Sequence, residues 1–329
     1  PVVVDFPIAY IKRPVPLDNN GVFVQPDARE VVLTINPGAD VWVRDRASSS
    51  ATPRNLTASV CPTPDQCDVK DLEVSYDGKL LLFSMRFPDG PMPQPTWNIW
   101  IYNFETRELK QVISDISTAE AGEDVGAHFL PDGRIMFSST RQSISKTIRT
   151  NEGSANNNGK SAYATREESL DEPALSLHII NVDCSTYVSC NVTSSADITQ
   201  FSFNASHDID ATVLTNGKVL YTRWDNAGAR NAMHLYQSNP DGTELTLVYG
   251  RQSHDTGTPG TTVQFLQPRE REAGRVLSIL KPFTDTFGGG DIVALDIGTY
   301  TDDLRAIQPS LLTGPADGQV SVIDNNVTT

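Results

Sequence analysis

The residues best suited to chemistry sit in short polar runs that lead into apolar ones. His207, Asp208 and Asp210 lie in "SHDID", and His254 and Asp255 lie in "SHDTG". Asp68 and Asp71 hold the corresponding places in "CDVKDLEVS", and Glu123 and Asp124 lie near that place in "GEDVGAHFL". Imidazole and carboxylate together suit Zn, Mn or Fe(II), so a bound metal ion is one reading, with His207 and His254 as candidate ligands. The other reading is structural. An Asp ahead of a strand bonds turn or backbone N–H groups, and motif residues in repeats serve repeat geometry first. On this reading Asp71 and Asp210 accept hydrogen bonds within the framework. His178 and His234 fall inside apolar strands and are expected in the core. Arg86, Arg141 and Arg223 recur at strand ends, where each is expected to pair with a carboxylate of a neighbouring unit. No catalytic residue is assigned, because no nucleophile elbow, zinc-protease helix or paired-carboxylate signature stands out. "FGGGD" (Phe287–Asp291) lacks the preceding strand and following helix of a dinucleotide loop.

Hairpins must position these residues. "YDGK", "PDGR" and "TNGK" each separate an apolar run from a second one ending in Arg. Asp-Gly and Asn-Gly tolerate positive φ, so each copy reads as a β-hairpin with a type I′ turn. The recurrence is an internal repeat of four strands, which predicts an all-β fold: a β-propeller of four-stranded antiparallel blades. The units fall at about 1–60, 61–115, 116–198, 199–250 and 251–308, so about five blades are visible in a single domain 1–329, complete or part of a larger ring. The first unit has no inner strand before "PIAYIKR". Residues 309–329, with "GQVSVIDNN", are expected to supply the closing strand or to start a further blade.

The chain has 329 residues and a formal net charge of −15, which argues against nucleic acid as a partner. No apolar run approaches a membrane span. The opening "PVVVDFPIAY" reads as a mature or trimmed N-terminus. Four cysteines form two identical spacings, Cys61–Cys67 and Cys184–Cys190, as local disulfides in an oxidising compartment would. These are expected to staple loop excursions rather than the core. No Cys-x-x-Cys-His occurs, so no haem-attachment motif is present and no cofactor is expected beyond the metal ion considered above. Asn-x-Ser/Thr sequons begin at Asn55, Asn191, Asn204 and Asn326. The polar insertion Gln142–Pro173 and the proline-rich Phe87–Trp97, with Trp97 as an anchor, are the segments best suited to meeting another protein.

"DVKDLEVSYDGKLLLFSMR", "LPDGRIMFSSTRQ", "EPALSLHIINVD", "SHDIDATVLTNGKVLYTRWDNAG", "NAMHLYQSNPDGT" and "KPFTDTFGGGDIVALD" carry a family resemblance. The repeat spelling resembles the TolB-like propellers of periplasmic bacterial proteins, including WD40-like repeats. More closely it resembles the hydrazine synthase alpha-subunit-like propeller proteins, from about Cys67 to Asp296. The resemblance implies a bacterial, exported protein, periplasmic or on the cell surface or extracellular. It also implies association with cytochromes, a multihaem cytochrome as electron-transfer partner among them. Hydrazine synthase relies on covalently bound haems, so its activity is not carried over to a chain lacking their attachment motif. The expectation is an exported scaffold for protein–protein contacts with a cytochrome-type or self-assembling partner. The alternative is an accessory or catalytic subunit of a metal or haem redox enzyme, with its His/Asp site at the channel mouth.

Overall fold

The computed structural model describes residues 6–298 except 25–26, 31–34, 91–94, 152–164, 168–170, 228–229, 251–253, 255–262 and 285–289. Eighteen strands are named in it. The first sheet holds β1 (Ile8–Lys12), β2 (Asp40–Arg44) and β3 (Arg54–Asn55). The second holds β4 (Asp68–Val74), β5 (Leu80–Arg86), β6 (Asn98–Asn103) and β7 (Leu109–Gln111). After the short helix α1 (Ile116–Ala119) come β8 (Asp124–Phe129) and β9 (Ile135–Ser139). Helix α2 (Ser143–Asn151) precedes β10 (Ser176–Ile180) and β11 (Ile198–Gln200), which complete the third sheet. The fourth sheet is β12 (Asp208–Val213), β13 (Val219–Ala227), β14 (Arg230–Ser238) and β15 (Thr246–Tyr249). The fifth is β16 (Gln264–Glu272), β17 (Arg275–Lys281) and β18 (Asp291–Asp296). Within each sheet sequential strands are hydrogen-bonded neighbours, and they pair antiparallel, as in β1–β2, β5–β6, β13–β14 and β17–β18. This is the all-β propeller architecture that the repeat predicts. The candidate closing strand and the last strand of the fifth unit lie outside the described residues.

The chain divides into two compact units, one of residues 1–24, 32–141 and 179–199, the other of 25–31, 142–178 and 200–329. The first has two apolar clusters. One joins Leu82, Ile101, Phe129, Phe137 and Val192; the other joins Val41, Val43, Val69, Phe83 and Met85. The second unit buries Leu220, Leu235, Tyr249, Phe265, Val276 and Leu295 together. These residues come from alternating strand positions, as a sheet that buries a face requires. Both disulfides form, Cys61–Cys67 and Cys184–Cys190. They do more than hold loops: Cys67, Cys184 and Cys190 are buried and belong to the apolar clusters.

The hairpins stand where Asp-Gly and Asn-Gly put them, but with a different turn. Gly78, Gly133, Gly217 and Gly242 have positive φ (73°, 87°, 82° and 83°), whereas the Asp or Asn before each does not. That preceding side chain instead accepts the N–H two residues on, as in Asp77 to Lys79 (3.1 Å) and Asn216 to Lys218 (3.0 Å). The glycine N–H closes back on the residue three before it. A type I turn followed by a left-handed glycine results, rather than type I′.

Candidate functional site

Four strands that open their sheets, β4, β8, β12 and β16, carry one irregularity. The ladders shift after Lys70, Val125, Ile209 and Leu266. The residue at each shift has positive φ: 63° at Asp71, 63° at Gly126, 57° at Asp210 and 48° at Gln267. This is a β-bulge, and it sets a common register for the repeat. Asp71 matches Asp210, and Asp124 matches Asp208. Asp68 matches Glu123 and His207, one residue off the placement that sequence spacing suggests, because a three-residue step from Asp68 to Asp71 faces a two-residue step from Asp208 to Asp210.

The bulge aspartates tie strands together, as the framework reading expects. Asp71 Oδ2 accepts the Gly126 N–H at 3.0 Å, and Asp210 Oδ2 accepts the Gln267 N–H at 3.0 Å. Each bond runs from one repeat's bulge to the bulge of the next repeat. Three residues upstream lies a second recurring link. Asp68 Oδ2 accepts Asn36 N–H (2.7 Å), Glu123 Oε2 accepts Trp97 N–H (2.7 Å), His207 Nδ1 accepts Leu175 N–H (3.0 Å) and Gln264 Oε1 accepts Met233 N–H (2.7 Å). The next residue returns the bond in two cases: Asp124 N–H to Trp97 O at 2.9 Å and Asp208 N–H to Leu175 O at 2.8 Å. Four different side chains thus perform one task, presenting a lone pair to a backbone donor from the preceding repeat. Sequence reasoning missed Gln264, since an amide matches neither the acidic nor the imidazole pattern.

The recurring arginines bind carboxylates of their own unit rather than a neighbour's. Arg141 forks onto Asp124 (2.9 and 2.6 Å) and also donates to the Thr118 and Ala119 carbonyls of α1. Arg223 lies 3.8 Å from Asp208 and 3.6 Å from Asp225, and Arg86 pairs with Asp89 at 2.9 Å. At Arg223 the hairpin register explains this, since it stands directly opposite Asp208; Arg86 stands opposite Asp68 but pairs with Asp89 three residues on. The cross-unit pairing does occur at Arg13, the Arg ending "YIKR", which forks onto Asp68 (3.1 and 2.6 Å). Trp97 is not an available anchor. Its ring is fully buried, with the Lys70 ammonium 4.3 Å from its centroid.

Burial dominates the electrostatics. It raises the Glu123 carboxyl to about 7, with the Trp97 N–H bond opposing. It raises Asp208 to about 6 against the pull of Arg223, and raises Asp124 despite Arg141. The candidate metal ligands are placed separately. His207 spends Nδ1 on Leu175, so its proton sits on Nε2, which faces buried Glu172 at 3.5 Å. His254 Nε2 lies 2.8 Å from His234 Nδ1. Asp255 is outside the described residues. His178 is buried as expected, and its Nε2 accepts the Ser143 N–H at the start of α2. Among the described residues, no group of three or more His, Cys, Asp and Glu is arranged to hold a metal ion. Nor is any described helix long and apolar enough to cross a membrane.

The insertion is anchored at its base. Gln142 Nε2 donates to Thr165 O (2.8 Å) and Ala174 O (2.9 Å), while its Oε1 accepts Thr165 N–H (3.0 Å). Gln200 Oε1 accepts the Ile144 and Ser145 N–H groups in the first turn of α2. Glu167 and Glu172 are buried, so the returning end of the insertion is built into its unit.

No protein-family model and no curated protein matches the chain. Solved structures do. Hydrazine synthase of Kuenenia stuttgartiensis superposes with a TM-score of 0.58 at 14% identity, over 90% of this chain and 38% of that one. The putative TolB of Agrobacterium tumefaciens gives 0.39 at 14% identity, over 64% of this chain and 56% of that one. The Pyrococcus horikoshii acylaminoacyl peptidase gives 0.41 at 12% identity, over 93% and 38%. This chain therefore spans well under half the length of the hydrazine synthase chain that it matches. Likeness at this level of identity speaks to fold alone, and in fold the chain is a β-propeller resembling that of hydrazine synthase.

Proposed function

We propose that the chain is an exported propeller scaffold that makes protein–protein contacts through its insertion, with a cytochrome-type partner or a second copy of itself. One observation carries this reading: a polar insertion whose ends are clasped by Gln142 and Gln200 is presented from a fixed base. A clasped base fixes where the segment leaves and rejoins the fold, and so where it can meet a partner. Asp68, Asp71, Glu123, Asp210 and His207 are already engaged in joining repeats, which favours architecture over catalysis for them. Two local disulfides suit export. The enzyme-subunit alternative is favoured by Glu123 and Asp208, whose carboxyls are held near 7 and near 6, in the range of a proton-transferring group.

Removing 152–164 and bridging the gap with a short Gly/Ser linker tests the scaffold reading. The cut spares buried Glu167, which a longer deletion would take out. The variant should keep its melting temperature and lose self-association by light scattering, or lose co-purification with a haem-bearing partner. If it keeps the parent's assembled state, the insertion is not the contact surface.

A further inference from the structure

Two neutral imidazoles hold the insertion where it leaves the fold and where it rejoins it. At the first point His178 Nε2 accepts the Ser143 N–H at 3.3 Å, while its Nδ1 lies 2.9 Å from the Ser176 carbonyl, which only accepts. At the second, His207 Nδ1 accepts the Leu175 N–H at 3.0 Å. Both side chains are fully buried. Each ring spends its one lone pair on a backbone donor and keeps its proton on the other nitrogen. In this tautomer neither ring offers a lone pair to a metal. A second proton has one place to go, the nitrogen that accepts the bond. Once there it sets N–H against N–H and leaves a buried backbone donor without its acceptor.

We infer that the two histidines form an acid-sensitive clasp: proton uptake frees the Leu175 and Ser143 amides and loosens the base of the insertion. At His207 the trade has a second side. Its Nε2 faces the Glu172 carboxylate at 3.5 Å, so an imidazolium gains an opposite charge there as it gives up Leu175. Glu167 stands behind, accepting the Glu172 N–H at 3.2 Å. The other neighbours of His207 are the Trp224 ring, 5.5 Å between centroids, and the adjacent Asp208, whose carboxyl lies 3.8 Å from Arg223. Beside His178, β11 contributes the uncharged Gln200, which accepts the next two N–H groups of α2, and Lys146 follows one turn along that helix. The repeat supplies its own comparison. Gln264 fills the slot of His207 and accepts the Met233 N–H at 2.7 Å through an oxygen that does not titrate. What a loosened base means for assembly rests on the contact role proposed above. The loosening itself is read on the free chain, so either can fail alone.

The test is amide-resolved hydrogen exchange on the full chain from about pH 7.5 to about pH 5, the range in which imidazoles ordinarily titrate. Protection factors, from which the intrinsic pH dependence of exchange is removed, should fall at Leu175 and Ser143. The fall should reach about tenfold per pH unit where opening takes up one proton. The β13–β14 ladder should keep its protection throughout. His207→Gln should abolish the fall at Leu175 and leave that at Ser143, and His178→Gln should do the reverse. Flat protection at both amides of the parent would overturn the clasp. So would a fall shared by the β13–β14 ladder, which is global unfolding, or a fall that survives the matching glutamine. The first two outcomes are read on the unmutated chain, so a variant that fails to fold does not shelter the idea.

Discussion

Glu123 shows what a single slot in the repeat costs when an ionisable residue fills it. The folded chain holds this carboxyl at about 7 rather than 4.5, so between those values it retains a proton that the unfolded chain has released. Its stabilising contribution is therefore fully present below the lower value and is lost as pH rises through the upper one. Gln occupies the matching position at 264, accepting the same kind of backbone N–H without titrating. Glu123→Gln should raise stability above pH 7 by on the order of 1–3 kcal/mol, and the gain should fade toward pH 4 in thermal melts. Asp210 offers a second test, because it combines a cross-strand bond with φ of 57°. Asp210→Ala should cost about 1–2 kcal/mol, from losing the bond to the Gln267 N–H and from placing Ala in the left-handed region. Asp210→Asn should recover much of it, since Asn accepts the same bond and tolerates that backbone. If Ala and Asn melt alike, the bond is not what holds the bulges together. At this scale the sequence revealed acidity and recurrence, which marked Asp71 and Asp210 well. It hid Gln264 and Arg13, because their roles depend on which backbone donor lies across from them.

Among the elements, the hairpins were the most legible. Their turn chemistry is local, and a glycine beside Asp or Asn announces itself within a few residues. The turn type was not legible, since the Asp and Asn side chains cap N–H groups two residues on and so hold their own backbone out of the left-handed region. The insertion was read as polar throughout, yet the helix α2 and the buried returns at Glu167 and Glu172 make its ends part of the fold. Gln142 is the joint. Gln142→Ala removes three hydrogen bonds at a site only 1% exposed. It should lower stability by about 1–3 kcal/mol and speed proteolytic nicking of the insertion. Faster nicking without loss of global stability would place the clasp outside the cooperative unit.

For the whole molecule, charge and sequence economy matter more than any one contact. A net charge of −15 and an isoelectric point near 4.7 keep copies apart at neutral pH. Self-association should therefore strengthen as pH falls toward that value, read as rising scattered intensity at fixed concentration. A flat profile would show that contacts between copies are governed by shape and apolar surface instead. The fold class was legible because a repeated unit states its period several times over. What a single copy says is much thinner. At the position filled by Asp68, Glu123, His207 and Gln264, the chain spells one instruction with four letters. Drift among those letters is nearly silent, since any of them leaves the backbone donor satisfied. A fold built this way can be spelled with very different text while keeping its grammar, as 14% identity across 90% of this chain illustrates. Comparisons that count matching letters will lose sight of such likeness early; comparisons that count lone pairs in register would keep it in view.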